Sequence, residues 1–360
     1  MTRLDKFIVI FSVFIGIGII ATIISLFVWK TKTAPFTPVS PKQQGEAGVF
    51  VSEDGGTSWA SLAGSEGIES SVMIFRNSDP EQIYVGTKGQ GLWILPKSKN
   101  ALEQVRDPKN VLDSSSEIFD IAENTESTVL YLAVFQNKFG KILRLDENGT
   151  EEIYKNPLEA YGIFGIIVDR AEPPNIRASS GDGNFLETKD SPGRRKWEVI
   201  SRTAEGIVRI FSHPVRTDTL WAITNKENLY VSDSGGRIWV EKPQITVMDR
   251  GITKVYDGVY NAARRTLMLA TDYGLTETAD DGAHWSSFQT PVPPGAAPIT
   301  AVGAHPYFAD VFWMASGNII YHTDDGGVSW RTGEVPTQKH IVNISVLPTN
   351  PKKLYAGVAK

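Results

Sequence analysis

Ser52-Glu53-Asp54-Gly55-Gly56-Thr57-Ser58-Trp59 near the start of the chain returns near its end as Thr323-Asp324-Asp325-Gly326-Gly327-Val328-Ser329-Trp330. Two looser copies lie between them. Thr278-Ala279-Asp280-Asp281-Gly282-Ala283-His284-Trp285 carries a histidine in the hydroxyl position, and Ser232-Asp233-Ser234-Gly235-Gly236-Arg237-Ile238-Trp239 moves the aspartate to 233. The stretch from Thr188-Lys189-Asp190 to Trp197 holds a further copy with an insertion, and Asp146-Glu147-Asn148-Gly149 is a remnant. A motif returning about every 45 residues marks a repeat architecture.

Three signals recur in fixed order. The first is a strand with apolar residues three apart: Ile118/Ile121, Ile163/Ile166, Ile207/Ile210, Ile252/Val255, Ile299/Val302 and Ile341/Ile344. A turn follows, often with proline, as in Asp79-Pro80, His213-Pro214, His305-Pro306 and Asn350-Pro351. The second is a β-rich strand starting at Ile83, Leu130, Ile176, Leu220, Leu267, Phe312 and Leu354. The third strand, such as Gly48-Val49-Phe50-Val51 or Asn228-Leu229-Tyr230-Val231, runs into the Asp-Gly turn, and a short fourth strand starts at the tryptophan. Evenly spaced short strands with turn chemistry between them read as an all-β, seven-bladed β-propeller of four-stranded blades over 48–360. A degenerate copy near Leu102–Val105 completes the count. The chain ends after the second strand of a blade and enters the domain with the third and fourth. The last blade is therefore expected to join both termini, which pairs edges otherwise left open.

The motif has a structural rationale. Asp-Gly and Gly-Gly supply the positive φ of a tight hairpin, the Asp or Ser side chain accepts backbone N–H bonds of the turn, and the tryptophan packs on a blade. The expected turn builders are Ser52, Asp54, Gly56 and Trp59; Asp190 and Trp197; Ser232, Asp233, Gly235 and Trp239; Thr278, Asp280, Gly282 and Trp285; and Thr323, Asp325, Gly327 and Trp330. Paired carboxylates such as Asp280-Asp281 and Asp324-Asp325 belong to this motif rather than to catalysis.

Residues 1–47 differ from the rest. They carry five basic and two acidic side chains, against 31 and 39 in the remainder. After a tail of residues 1–6, Phe7 to Trp29 has no charge. As a helix at about 1.5 Å per residue it would cross a bilayer core of about 30 Å. It reads as an uncleaved signal anchor, followed by a Pro/Thr/Ser linker at 30–47. The short tail favours a single-pass protein of the cell membrane, with a cytoplasmic N-terminus and an extracytoplasmic propeller.

Composition narrows the chemistry. The acidic body carries no basic run and makes a poor nucleic-acid binder. There is no cysteine, and the five histidines (His213, His284, His305, His322 and His340) form no metal-ligand spacing, so neither metal nor cofactor is expected. The equivalent slots of His213-Pro214 and His305-Pro306 point to turn chemistry. One charged constellation stands out at a channel mouth: Arg209 in an inner-strand slot, Lys254 one repeat on and Asp120 two repeats back.

The repeat resembles the Asp-box (BNR) motif, Ser/Thr-x-Asp-x-Gly-x-Thr/Ser-Trp, which 52–59 and 323–330 match in full. Sialidases, tandem-propeller xyloglucanases, sortilin-type ectodomains and photosystem II assembly factors share it. The Asp-Pro-x-x-(Ile/Leu)-Tyr-x-Gly run at Asp79 to Gly86, with its counterpart at Asn350 to Gly357, looks most like the sortilin and assembly-factor group. That resemblance implies a non-catalytic platform that binds a protein partner or assembles a complex. The early Arg-Ile-Pro motif of sialidases is missing: Phe75-Arg76-Asn77 lacks the proline. A surface glycan-binding or glycoside-hydrolase-like protein is the alternative, and an inert envelope spacer a third. The candidate display loops precede the inner strands, at 63–70, 106–117, 155–162, 201–206, 242–251, 289–298 and 332–340, with Pro291 to Pro298 the most distinctive.

Overall fold

The computed structural model describes residues 48–360 apart from Ser78, Ser98, Thr125 and 243–251. The expected tail, span and linker at 1–47 lie outside the described residues, as does most of the 242–251 loop. Among the described residues no helix is long and apolar enough to cross a membrane.

The chain enters with β1 (Val49–Ser52) and β2 (Ala60–Ser61). Six complete blades follow. Blade 1 holds β3 (Ser70–Phe75), β4 (Ile83–Thr87), β5 (Leu92–Leu95) and β6 (Glu103–Gln104). Blade 2 holds β7 (Glu117–Glu123), β8 (Leu130–Gln136), β9 (Phe139–Asp146) and β10 (Gly149–Lys155). Blade 3 holds β11 (Ile163–Val168), β12 (Asn175–Ser180), β13 (Asn184–Lys189) and β14 (Glu198–Arg202). Blade 4 holds β15 (Ile207–Ser212), β16 (Leu220–Thr224), β17 (Leu229–Ser232) and β18 (Val240–Glu241). Blade 5 holds β19 (Val255–Asn261), β20 (Thr266–Thr271), β21 (Leu275–Thr278) and β22 (Ser286–Ser287). Blade 6 holds β23 (Ala301–Ala304), β24 (Phe312–Ser316), β25 (Ile319–Thr323) and β26 (Arg331–Glu334). The chain ends with β27 (His340–Val346) and β28 (Leu354–Ala359).

These form seven four-stranded antiparallel sheets, and the inner strands β3, β7, β11, β15, β19, β23 and β27 touch in a closed ring. The seventh sheet runs β2-β1-β28-β27. It closes the ring as expected, with Phe50 opposite Ala356 and Val51 opposite Tyr355.

The period-3 apolar pairs have a physical cause. A β-bulge interrupts the inner strand, between Ile118 and Asp120 in β7 and at matching points of β3, β11, β15, β19 and β27. One extra residue on an alternating strand brings side chains three apart to the same face. Two of the expected pairs depart from this. The bulge of β19 falls between Val255 and Asp257, so the residues three apart there are Val255 and Gly258 and Ile252 precedes the strand, and β23 pairs without a bulge.

The second strands are buried on both faces. β4, β16, β20, β24 and β28 are buried along their whole length because each lies between two neighbouring sheets, which explains runs such as Leu220-Trp221-Ala222. The apolar core is accordingly divided into clusters between adjacent blades. Small residues let the sheets approach: a Cβ on Gly165 would lie 2.3 Å from Ile210 of the next blade.

Two turn glycines show what the ring demands. Gly236 has φ +87°, and a Cβ there would lie 2.0 Å from the Phe185 ring of the preceding blade. Gly55 has φ +81° with open space around it. Gly236→Ala should therefore cost about 3–5 kcal/mol, strain plus overpacking, and Gly55→Ala only the strain of about 1–2 kcal/mol. Equal losses in urea unfolding would contradict this packing. Deletion of 351–360 removes β28 from between β1 and β27 and should unfold or aggregate the domain. A monomeric truncation with an unchanged melting point would contradict closure.

Candidate functional site

The four expected turns use their polar groups internally. Ser52 Oγ accepts from Gly56 N–H at 2.9 Å and donates to Asp54 at 2.8 Å. Asp54 accepts from the N–H of Thr57 and Ser58 and from the Ser58 hydroxyl at 2.6 Å. Thr323 and Asp325 repeat the arrangement with Gly327 and Ser329, and Thr278 and Asp280 repeat it with Gly282 and His284. Hydrogen bonds from the turn hold the carboxyls of Asp325 and Asp280 down at about 2. Trp59, Trp197, Trp239, Trp285 and Trp330 are half-buried. Each packs toward the preceding blade, as in the Trp239–Phe185 contact at 5.3 Å.

Three expected turn residues do otherwise. Ser234, not Asp233, stands in the aspartate slot and accepts from Ile238 N–H at 2.9 Å, while Asp233 accepts from the Thr219 hydroxyl. Gly236 is the glycine whose N–H meets Ser232, so Gly235 lies one place earlier in the turn. Asp190 is held by side chains rather than by turn N–H groups. It is buried, accepts from Tyr131 Oη at 2.5 Å and pairs with Arg144 and Arg195. Trp197 donates to Ile153 O of the preceding blade at 2.7 Å.

The expected channel-mouth charges are brought only partly together. Asp120 and Arg209 follow the bulges of β7 and β15, in equivalent positions. Lys254 precedes β19, and the equivalent residue there is Asp257. Asp120 accepts from Ile166 N–H of the next inner strand at 2.9 Å, and Asp257 accepts from Val302 N–H at 3.0 Å. Asn343 holds the same place in β27 and donates to Ser71 O at 3.0 Å. In β7, β19 and β27 the slot therefore ties the inner strand to its neighbour, which gives Asp120, Asp257 and Asn343 a structural role. Burial pushes both carboxyls up to about 6, against the pull of backbone N–H bonds and, for Asp257, of Arg209.

The two ends of the propeller differ. One end carries the turns from first to second strand and from third to fourth; the other carries the loops that precede the inner strands. At the first end, His213 Nδ1 accepts from the N–H of Val215 and Arg216, and His305 Nδ1 from those of Tyr307 and Phe308. Both histidines thus shape turns. Those turns lift Val215 (81% exposed), Tyr307 (72%) and Phe308 (55%) into solvent, and Ile238 (67%) and Val328 (87%) stand beside them on the same end. At the other end, among the described residues of the expected display loops, the exposed large apolar side chains are Leu158 (50%) and Tyr161 (42%). The signal for this end lay in the turn residues themselves, Tyr307-Phe308 and Val328, which the repeat does not need.

No protein-family model matches the chain, and no curated protein matches it in sequence. Solved structures do match in fold. The GH74 enzyme of Niastella koreensis superposes with a TM-score of 0.64 at 14% identity, over 86% of this chain and 52% of that one. The GH74 xyloglucanase of Xanthomonas campestris gives 0.63 at 16%, over 82% and 51%. YCF48 from Cyanidioschyzon merolae gives 0.62 at 13%, over 81% and 96%, and YCF48 bound to D1 peptide gives 0.62 at 14%, over 81% and 93%. The chain spans about half the length of the GH74 enzymes and nearly all of YCF48. At these identities the likeness is one of fold.

The channel carboxyls yield a signed prediction. Asp120 has a folded pKa of about 6, above its ordinary 3.8, so the native state favours the proton. The stability this gives is present below about pH 4 and is lost as pH rises through about 6. Asp120→Asn cannot ionise and still offers an oxygen to Ile166. It should be more stable than the parent by about 1–2 kcal/mol at neutral pH, with the difference closing toward pH 4. Urea unfolding across pH checks this. A variant less stable at every pH would contradict it.

Proposed function

We propose that this protein is a partner-binding platform. The end of the propeller that carries the first-to-second and third-to-fourth strand turns would hold a segment of another protein or help to assemble a complex. The observation that carries the reading is the placement of Val215, Ile238, Tyr307, Phe308 and Val328 at that end, exposed by turns whose geometry does not require them. Exposed apolar residues gathered on one end of a rigid scaffold favour a protein partner. The match to YCF48 bound to D1 peptide, a propeller of nearly the same extent, adds support. The uncharged run at 7–29 supports display of the platform at the outer face of a membrane, as a single-pass protein.

The second reading is a glycan-binding or glycoside-hydrolase-like protein. Asp120 and Asp257, held near 6, have the protonation that a general acid needs, and the GH74 likeness gives a context. Their bonds to neighbouring inner strands weigh against this role.

Mild crosslinking in native membranes, followed by purification of the full-length chain and mass spectrometry, separates the readings. The platform reading expects a stoichiometric partner that is lost in the combined variant Tyr307→Ser, Phe308→Ser and Val328→Ser with an unchanged melting point. Retention of the partner by that variant would remove this end of the propeller from the account. A protein with no partner that hydrolyses xyloglucan would establish the second reading.

A further inference from the structure

The turns from first to second strand in blades 4 and 6 are twins. Each opens on a histidine and a proline, His213-Pro214 and His305-Pro306. Each carries an aspartate, Asp218 or Asp310, that an arginine of the preceding blade contacts, Arg177 or Arg264. Between those fixed points the two differ. Blade 4 has Val215 and Arg216, and Arg216 answers the carboxylate of Asp281 in the next blade. Blade 6 has Tyr307 and Phe308 at the same two places. Its turn brings no lysine or arginine of its own, and two rings stand in solvent where the twin has an aliphatic side chain and a guanidinium.

The rings are held in place. His305 Nδ1 accepts the N–H of Tyr307 at 3.1 Å and of Phe308 at 3.2 Å, which fixes the turn. The Phe308 ring stacks on the buried His305 ring at 4.7 Å and 28°, so one face is covered and the other is free. Tyr307 lies across the same imidazole at 5.8 Å and 63°. Burial holds His305 below its ordinary value, so the ring under Phe308 is neutral. Asp310 stands two residues on. Its carbonyl accepts from Gly326 N–H at 3.0 Å, which sets this turn against the one that bears Val328. Asp310 Oδ1 accepts from Arg264 at 3.2 Å. Its Oδ2 accepts no hydrogen bond among the described residues, and the side chain is 62% exposed. Arg264 gives its two shorter bonds to Glu277, at 2.8 and 2.9 Å, so the charge of Asp310 is left largely unanswered. In the neighbouring turn Asp324 is paired with Arg331 and His322. Asp325 instead takes its bonds from Thr323 and Ser329 and pairs with no base among the described residues. Those bonds keep its carboxyl ionised, down at about 2.

We propose that this corner of blade 6 docks a cationic segment of the partner protein, with an arginine side chain laid on the free face of Phe308 and its guanidinium at Asp310. The inference rests on the platform reading and gives the partner its chemistry. A purely apolar segment would cover the rings but would also bury the Asp310 carboxylate without a counter-charge, which is costly. An acidic segment or an anionic membrane surface would meet like charge in Asp310 and Asp325. An arginine answers both features, because its planar guanidinium stacks on aromatic faces and pairs with carboxylates. The cation thus enters from outside at the position where blade 4 carries its own. Val328, on the turn joined to Asp310, offers apolar surface to the rest of the segment.

The test uses the full-length protein labelled with 4-fluorophenylalanine, the Phe308 signal being assigned with Phe308→Leu. The probes are the peptide acetyl-Gly-Arg-Ala-Arg-Gly-amide, the same peptide with citrulline for arginine, and the same peptide with glutamate. Citrulline keeps the planar shape and removes the charge. The Phe308 resonance should move with the arginine peptide and not with the other two, while that of the buried Phe185 stays in place. Asp310→Asn should weaken binding about threefold or more, the range of an exposed charge pair. Raising the salt from about 50 to about 300 mM should weaken it further. The proposal is overturned if the arginine peptide leaves the Phe308 signal unmoved at about 10 mM, where a millimolar Kd would show. It is also overturned if the citrulline peptide acts equally or if Asp310→Asn binds as the parent does. Crosslinking of the combined serine variant reads the platform separately. A partner lost in that variant, with Phe308 silent to arginine, leaves the platform standing and removes the cationic partner. A Phe308 response with no partner in native membranes keeps the cation site and removes the platform.

Discussion

The ring depends on contact between a glycine turn of one blade and a bulky side chain of the blade before it. Phe185 against Gly236, Leu229 against Gly282, Phe288 against Gly327 and Trp313 against Gly56 are four copies of the same contact. The glycine supplies positive φ for the turn and leaves room for the neighbour. The serine or threonine that opens the turn holds the glycine N–H, and the tryptophan that closes it covers the same side chain. A blade's outer turn is therefore shaped by its neighbour, which makes the seven sheets one cooperative body rather than seven independent hairpins.

The inner rim repeats this logic with polar groups. Asp120, Asp257 and Asn343 each bond the next inner strand, so Asp120, one of the three charges expected at a channel mouth, serves as a tie. What the scaffold leaves over is then the informative residue set. Tyr307, Phe308, Val328 and Val215 close no turn and fill no core. Function is most economically placed where the repeat has been departed from, and these departures gather at one end of the propeller.

Much of the fold was legible because burial writes itself into composition. Second strands enclosed on both faces read as unbroken apolar runs, and their starts at Ile83, Leu130, Leu220, Phe312 and Leu354 were readable to the residue. The bulge was legible as a spacing of three, though its cause was not. The Lys254 alignment failed because Ile252 imitates a bulge-flanking residue three places early. Asp233 was misplaced because a serine can accept the same turn N–H bonds as an aspartate, and the motif alone does not tell which oxygen is used. The exposed apolar end was not legible, since loop direction follows from strand pairing and not from loop composition.

The absence of cysteine allows the central claim, that the end bearing Val328 faces a partner, to be tested in place. Single cysteines at Val328 and at Leu158 report the two ends of the propeller. Their rates of modification by a membrane-impermeant maleimide would be compared between native membranes and purified protein. The account predicts that Val328→Cys is protected in membranes and reactive once purified, while Leu158→Cys reacts equally in both. A Val328→Cys variant that reacts as fast in membranes as in purified form would contradict it.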